Sequence, residues 1–145
     1  MKHTMIIAAL AATMTASAQL HISTPTTSLL LNAEPGERFE YMYYGAALAD
    51  TDIPAVAEAE KHVDAYPVYG MDTFNAYTLA ATHADGSMAT DMRVDKVSES
   101  TDKDGSKVTR VSLKDTLYPF YIDVCYRTWP ACDVIETWTE IRHNE

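Results

Sequence analysis

Carboxylates are the first side chains to test for chemistry, because the chain carries 21 of them against 11 lysines and arginines. Two carboxyls can cleave a glycosidic bond when they stand about 5–5.5 Å apart for retention, or about 6.5–9.5 Å for inversion. Glu136 and Glu140 share one face of a predicted strand, but four residues at about 3.3 Å each separate them by roughly 13 Å. They cannot act as a pair on their own. Asp123 or Asp115 would have to approach one of them from a neighbouring strand, which spacing leaves open. Without such an approach they are solvated carboxylates on the outer face of a sheet.

Other chemistries find less support. His21, His62, His83 and His143 show no H-x-H or H-x-x-x-H spacing and no clustering with cysteine, which argues against zinc or copper. His83 reads as a solvated turn residue. No G-x-S-x-G or S-x-x-K motif offers a nucleophile, and Gly70, Gly86 and Gly105 are isolated turn glycines, not a phosphate loop. Cys125 and Cys132 lack C-x-x-C spacing, so no metal or redox pair is indicated. Two readings stay open for them: a structural disulfide closing the loop CYRTWPAC, or two unpaired thiols. Among the aromatics, Tyr118, Tyr121, Tyr126, Trp129 and Trp138 crowd the C-terminal stretch, with Tyr41, Tyr43, Tyr44, Tyr66 and Tyr69 earlier. Beside carboxylates such rings can stack on sugars, and they can equally fill a core.

The elements that must position these groups are mostly strands. Ser28–Asn32 is a short apolar run, stopped by the Pro-Gly turn Glu34-Pro35-Gly36-Glu37. Arg38–Tyr44 follows as an alternating segment. Ala76–Thr82 and Met88–Val94 flank His83-Ala84-Asp85-Gly86, which predicts a hairpin with its Asp-Gly at the turn. Asp95–Gly105 reads as a charged loop. Lys107–Lys114, Phe120–Arg127 and Asp133–Arg142 then alternate with period two, the signature of half-buried strands. One helix candidate, Ile53–Val63, offers two or three turns. The spacing of strands and turns predicts an all-β chain, an antiparallel β-sandwich. Its last patterned strand runs to His143-Asn144-Glu145 with no turn after it, which leaves an edge open and suggests an incomplete sandwich.

Composition narrows the class further. A hydrophobic share of 47% is too high for disorder, and 145 residues make one domain at most. Net charge is −10, and near −11 once Lys2 is removed with the leader, which argues against nucleic acid or an anionic membrane surface as partner. Met1–Ala18 has the form of a signal peptide, with Lys2, an apolar stretch from Met5 to Met14, and Ala16-Ser17-Ala18 as cleavage site. The stretch is far shorter than the roughly 20 residues of a membrane span. Cleavage after Ala18 would export residues 19–145 to the periplasm or the exterior.

Six blocks in order, TPTTSLLLN, PGERFEYMYYGAAL, AYPVYG, THADGS, VSLKDTLYPFYIDVCY and DVIETWTEIRHNE, resemble the N-terminal domain of glycoside hydrolase family 36. Its members are α-galactosidases and close relatives, here of the secreted type found in gut-dwelling bacteria. The last block, of the form V-I-E-x-W-T-E-I-R-x-x-E, is the most specific. The resemblance implies a large supersandwich domain followed by a (β/α)8 barrel and a small C-terminal β domain. It also implies retaining hydrolysis by two barrel aspartates, without cofactor or metal. Neither aspartate motif occurs in this chain, so the resemblance implies roughly the first half of the sandwich domain, inactive alone. The implied partners are the barrel, a homo-oligomer, and a terminal α-galactoside bound by the full-length parent. Within Tyr66–Phe74 (YPVYGMDTF) it points to Asp72 and Phe74 as carbohydrate contacts, although family sequences place the acid and aromatic side by side. A Gly70 turn without ligand competes with that assignment. A free-standing secreted carbohydrate-binding module, or a structural or adhesive sandwich, are the other readings.

Overall fold

The computed structural model describes residues 19–59, 63–71 and 76–144. The leader Met1–Ala18, and with it the expected cleavage, lies outside them. Four strands, Gln19–Ser23 (β1), Thr27–Asn32 (β2), Glu40–Ala46 (β3) and Val63–Asp64 (β4), form one antiparallel sheet in sequence order, with a helix at Ile53–Ala59 (α1). A second antiparallel sheet holds Met92–Thr101 (β5), Lys107–Asp115 (β6), Phe120–Thr128 (β7) and Ile135–His143 (β8), again in order. The all-β sandwich expected from the pattern is what forms.

Local sequence explains most of this. In β7, Phe120, Ile122, Val124 and Tyr126 belong to the core between the sheets, while Tyr121, Asp123, Cys125 and Arg127 alternate with them onto the outer face. Leu113 and Val111 of β6 lie opposite Ile122 and Val124 and point the same way. From the other sheet, Ile22, Leu29 and Leu31 meet them. Leu30 faces the opposite side of β2, where Met42 and Ala57 cover it, so helix α1 is what permits three consecutive leucines in one strand. A register shift between Leu30 and Leu31 accommodates the extra residue on β3.

Two ties hold the sheets together beyond their core. The Pro35-Gly36 turn docks on β5: the Gly36 amide donates to Val94 O at 2.8 Å, and the Val94 amide donates to Glu37 O at 3.0 Å. Gly36 adopts φ 89°, the left-handed region that favours glycine. At the other end, the Asp133 carboxylate accepts hydrogen bonds from the hydroxyls of Thr24 and Thr26 and from the Thr26 amide at 3.2 Å. That clasp ties the β1–β2 turn to the β7–β8 loop and depresses the Asp133 pKa, chiefly through the Thr24 and Thr26 hydroxyls.

Three expectations need correction. Asp95–Thr101 is strand, not loop, and the turn is confined to the stretch around Asp102–Gly105. β5 is an edge strand exposed on both faces over this stretch, so polar residues occupy it without breaking the ladder. Residues 76–91 hold the expected Asp-Gly turn, with the Gly86 amide donating to His83 O, but form no paired strands around it; Val68 and Leu79 make only an isolated bridge. β1 is the strand the pattern missed, five residues directly after the leader.

Leu31 is fully buried between the sheets. Leu31→Ala should cost about 2–5 kcal/mol in a denaturant melt, the usual range for a leucine cavity in a packed core. A loss well below that range would contradict its placement at the centre of the sandwich.

Candidate functional site

Asp72 and Phe74 lie outside the described residues; the structure gives the stem on either side of them. Tyr66 and Val68 are buried in the sandwich core and anchor the stem. The Tyr69 amide donates to Leu79 O at 2.9 Å and the Thr78 amide to Pro67 O at 2.8 Å, which draws the two sides together. Gly70 is pinned at φ 105°, and a Cβ there would stand 2.5 Å from Thr90 N and 2.9 Å from Ala89 Cα. No other residue fits without moving the backbone. On the outside of the stem, the exposed rings of Tyr69 and Tyr77 meet edge to face with centroids 5.0 Å apart. Tyr77 is not among the aromatics singled out from sequence; its place beside Tyr69 follows from the pairing of the two sides of the stem.

The carboxylates behave differently from an acid pair. Asp123 lies opposite Glu140 in the β7–β8 register, as one reading of the sequence required. Between them stands Arg110, which donates to both oxygens of Glu140 at 2.8 and 3.0 Å and to Asp123 Oδ2 at 3.0 Å. Arg142 donates to the same Asp123 oxygen at 3.0 Å, leaving the buried Asp123 Oδ1 without a partner among the described residues. Trp138 Nε1 donates to Glu140 at 3.1 Å, and the Arg127 guanidinium lies over the Trp138 ring at 5.1 Å. Glu136 pairs with Arg127. The guanidinium of Arg110, then the indole of Trp138, holds the Glu140 carboxyl down at about 2. A general acid needs the reverse shift. Asp115 is occupied in another way, accepting the backbone amides of Asp91, Leu117 and Tyr118.

Histidine also departs from the sequence reading. His83 is buried, not solvated: its ring stacks on Tyr118 at 3.6 Å between centroids and meets the edge of Phe120 at 5.8 Å. The turn brings it inward against the start of β7. Beside it a cavity of about 260 Å³ is lined by residues 81–84, Phe120 and His143. A second cavity, of about 220 Å³, lies where the β1–β2 turn meets Lys107 and Trp129. Cys125 and Cys132 are both free thiols in the structure, the second of the two readings the sequence leaves open. Cys125 is buried in the middle of β7, and burial pushes its pKa up, whereas Cys132 is exposed in the turn beyond the strand's end. Among the described residues no cluster of His, Cys, Asp and Glu could hold a metal ion, and no helix is long and apolar enough to cross a membrane.

Two outcomes follow from this geometry. Gly70→Ala should destabilise the chain by at least about 1–3 kcal/mol, the usual cost of a strained backbone conformation, with the Thr90 contact adding to it. A thermal midpoint unchanged by the substitution would show that the stem is not pinned. The Glu140 carboxyl, lowered from 4.5 to about 2, contributes stability that is full above about pH 4.5 and lost as pH falls toward 2. Glu140→Gln should therefore flatten the acid-side decline of the melting midpoint while lowering it at neutral pH. An identical acid limb in both proteins would remove Glu140 from the ion network.

Comparisons with known proteins agree with this picture of a sandwich. No curated protein sequence gives a significant match. Among solved structures, the family 36 α-galactosidase AgaB from Geobacillus stearothermophilus superposes with a TM-score of 0.75 at 15% identity, over 93% of this chain and 22% of that one. AgaA from the same organism gives 0.73 at 16% identity, over 86% and 22%. The α-galactosidase from Lactobacillus brevis gives 0.66 at 18% identity, over 85% and 21%. The chain thus spans about a fifth of the length of these structures, and at such identities the likeness is one of fold. The sequence profile of the glycosyl hydrolase family 36 N-terminal domain matches residues 37–145, and the chain belongs to that family.

Proposed function

We propose that this chain is the opening, non-catalytic part of an exported α-galactosidase. Its role there is structural: the sandwich supports a catalytic barrel, contributes to contacts between subunits, and finishes the rim of a sugar pocket with the segment that carries Asp72 and Phe74. The parent hydrolyses terminal α-linked galactose, with its nucleophile and acid/base on the barrel. The observation that carries the reading is the family profile over residues 37–145. The arginine-bound carboxylates of the outer face support it, since Arg110 engages both Glu140 and Asp123 in holding a sheet together and keeps Glu140 ionised. The exposed Tyr69 and Tyr77 rings beside the proposed rim offer surfaces on which a pyranose can stack.

The test uses an antibody raised against residues 19–145. Applied to the source cells, it should recover an exported polypeptide several times longer than this chain, beginning at Gln19, with α-galactosidase activity. The purified 145-residue chain should leave an α-galactoside untouched. Hydrolysis by the purified chain, or recovery of only a short inactive polypeptide, would overturn the proposal. In the second case binding of a galactoside to the short chain would favour the carbohydrate-binding module.

A further inference from the structure

The cavity of about 220 Å³ beside Trp129 lies at the end of the sandwich away from the Gly70 stem. Gly70 abuts Thr90, ahead of the first residue of β5, whereas the cavity lies past the last. Three turns wall it: residues 24–26 between β1 and β2, the stretch around Gly105 between β5 and β6, and residues 129–134 between β7 and β8. Each turn joins two strands that pair with each other, so every wall is anchored on both sides. Pro25 and Pro130 fix φ in two of the turns. The Asp133 clasp binds the first turn to the third through the Thr24 and Thr26 hydroxyls. These ties hold the cavity in one shape before any ligand arrives, which lowers the cost of binding.

The lining is mixed in a telling way. Trp129 is half-buried, an indole left partly open at a turn while Tyr126 and Val124 of the preceding strand enter the core. Ser23 and Thr128 bring hydroxyls, which both give and take hydrogen bonds, and Lys107 brings an ammonium. The Glu99 carboxylate holds that ammonium at 2.8 Å, so its charge is balanced while its other N–H groups still donate. An anion would find the one cation of the cavity already paired. An aliphatic chain would cover the hydroxyls and leave them unpaired, at a cost. A ring that is apolar on its C–H face and hydroxylated around its rim meets both kinds of wall at once. The volume lies below the roughly 300–1,000 Å³ of sites for larger ligands, which leaves room for one such ring. We infer that this end of the sandwich binds a single neutral pyranose unit, with Trp129 as its platform and Ser23, Thr128 and Lys107 as its hydrogen-bonding partners.

The site stands on its own residues; only the choice of a galactoside as first probe rests on the proposed function. The length of the polypeptide recovered from cells decides that function, and sugar binding at this end decides the site, so each can fail alone. The experiment is a titration of the 145-residue chain with methyl α-galactoside and, separately, methyl α-glucoside, followed by heteronuclear NMR. The Trp129 indole N–H and the Gly105 amide should shift saturably with at least one of the two, while the Trp138 indole on the outer face stays in place. Thr128→Val keeps the shape of the side chain and removes its hydroxyl, and Lys107→Met removes the ammonium. Each should bind several-fold more weakly with an unchanged circular dichroism spectrum. In Trp129→Ala the Gly105 shift should disappear. Shifts confined to residues 66–79 would place the sugar at the stem and overturn the inference. The absence of a saturable shift with either glycoside, or an equal shift from glycerol or sodium sulfate, would do the same. If a variant fails to fold, the pattern of shifts in the unmodified chain decides alone.

Discussion

Two sheets with one apolar face each must close on one another, and everything else in this chain depends on that closure. Sheets pack about 10 Å apart, with side chains from the two inner faces interdigitating. Here Leu29 and Leu31 of β2 supply one face, and Val111, Leu113, Ile122 and Val124 the other. Once they are in contact, the back of β2 still exposes Leu30, which α1 covers with Ala57. Tyr66 and Val68 enter the same core and thereby fix the stem of the 72–75 segment. The Asp133 clasp and the Pro35-Gly36 turn sit at the periphery, where they set how the sheets meet and add little burial.

The outer face of the second sheet obeys a different rule. No second layer covers it among the described residues, yet Asp123 and Cys125 are buried there, beneath the long side chains that lie across them. A buried carboxylate demands compensation, and Arg110 and Arg142 provide it. The result is an ordered ladder of alternating charge with an indole and a phenol under the guanidinium groups of Arg127 and Arg142. Such an arrangement fixes strand register. It also commits Glu136, Asp123 and Glu140 to arginine.

How much of this was legible in the sequence differs by element, for physical reasons. β6, β7 and β8 alternate over most of their length because one side of each meets the core, or its continuation, and the other meets solvent or the ion network; period two therefore survives in the residue pattern. β5 carries Asp95, Lys96, Ser98, Glu99 and Ser100, and reads as a loop, because an edge strand open on both faces needs little apolar surface to stay paired. His83 was placed in water because a turn usually leaves its residues there, and nothing in the local sequence announces Tyr118 and Phe120 as its neighbours 35 or more residues away. The approach of Asp123 to Glu140 was an open alternative, but the arginine between them depends on β6 lying beside β7, which spacing alone does not give. The thiols follow the same logic: seven residues apart in sequence, one is held inside a strand and the other stays in a turn.

Backbone amide exchange tests the closure of the two sheets most directly. If the sheets share one core, the slowest amides should lie in β2, β6 and β7 and should exchange together, at a rate set by global opening. Amides on the outer side of β5, and those around residues 84–87, should exchange first. Uniformly rapid exchange, or protection in one sheet without the other, would show that the sheets do not form a common core and would contradict the account of this chain as a closed sandwich.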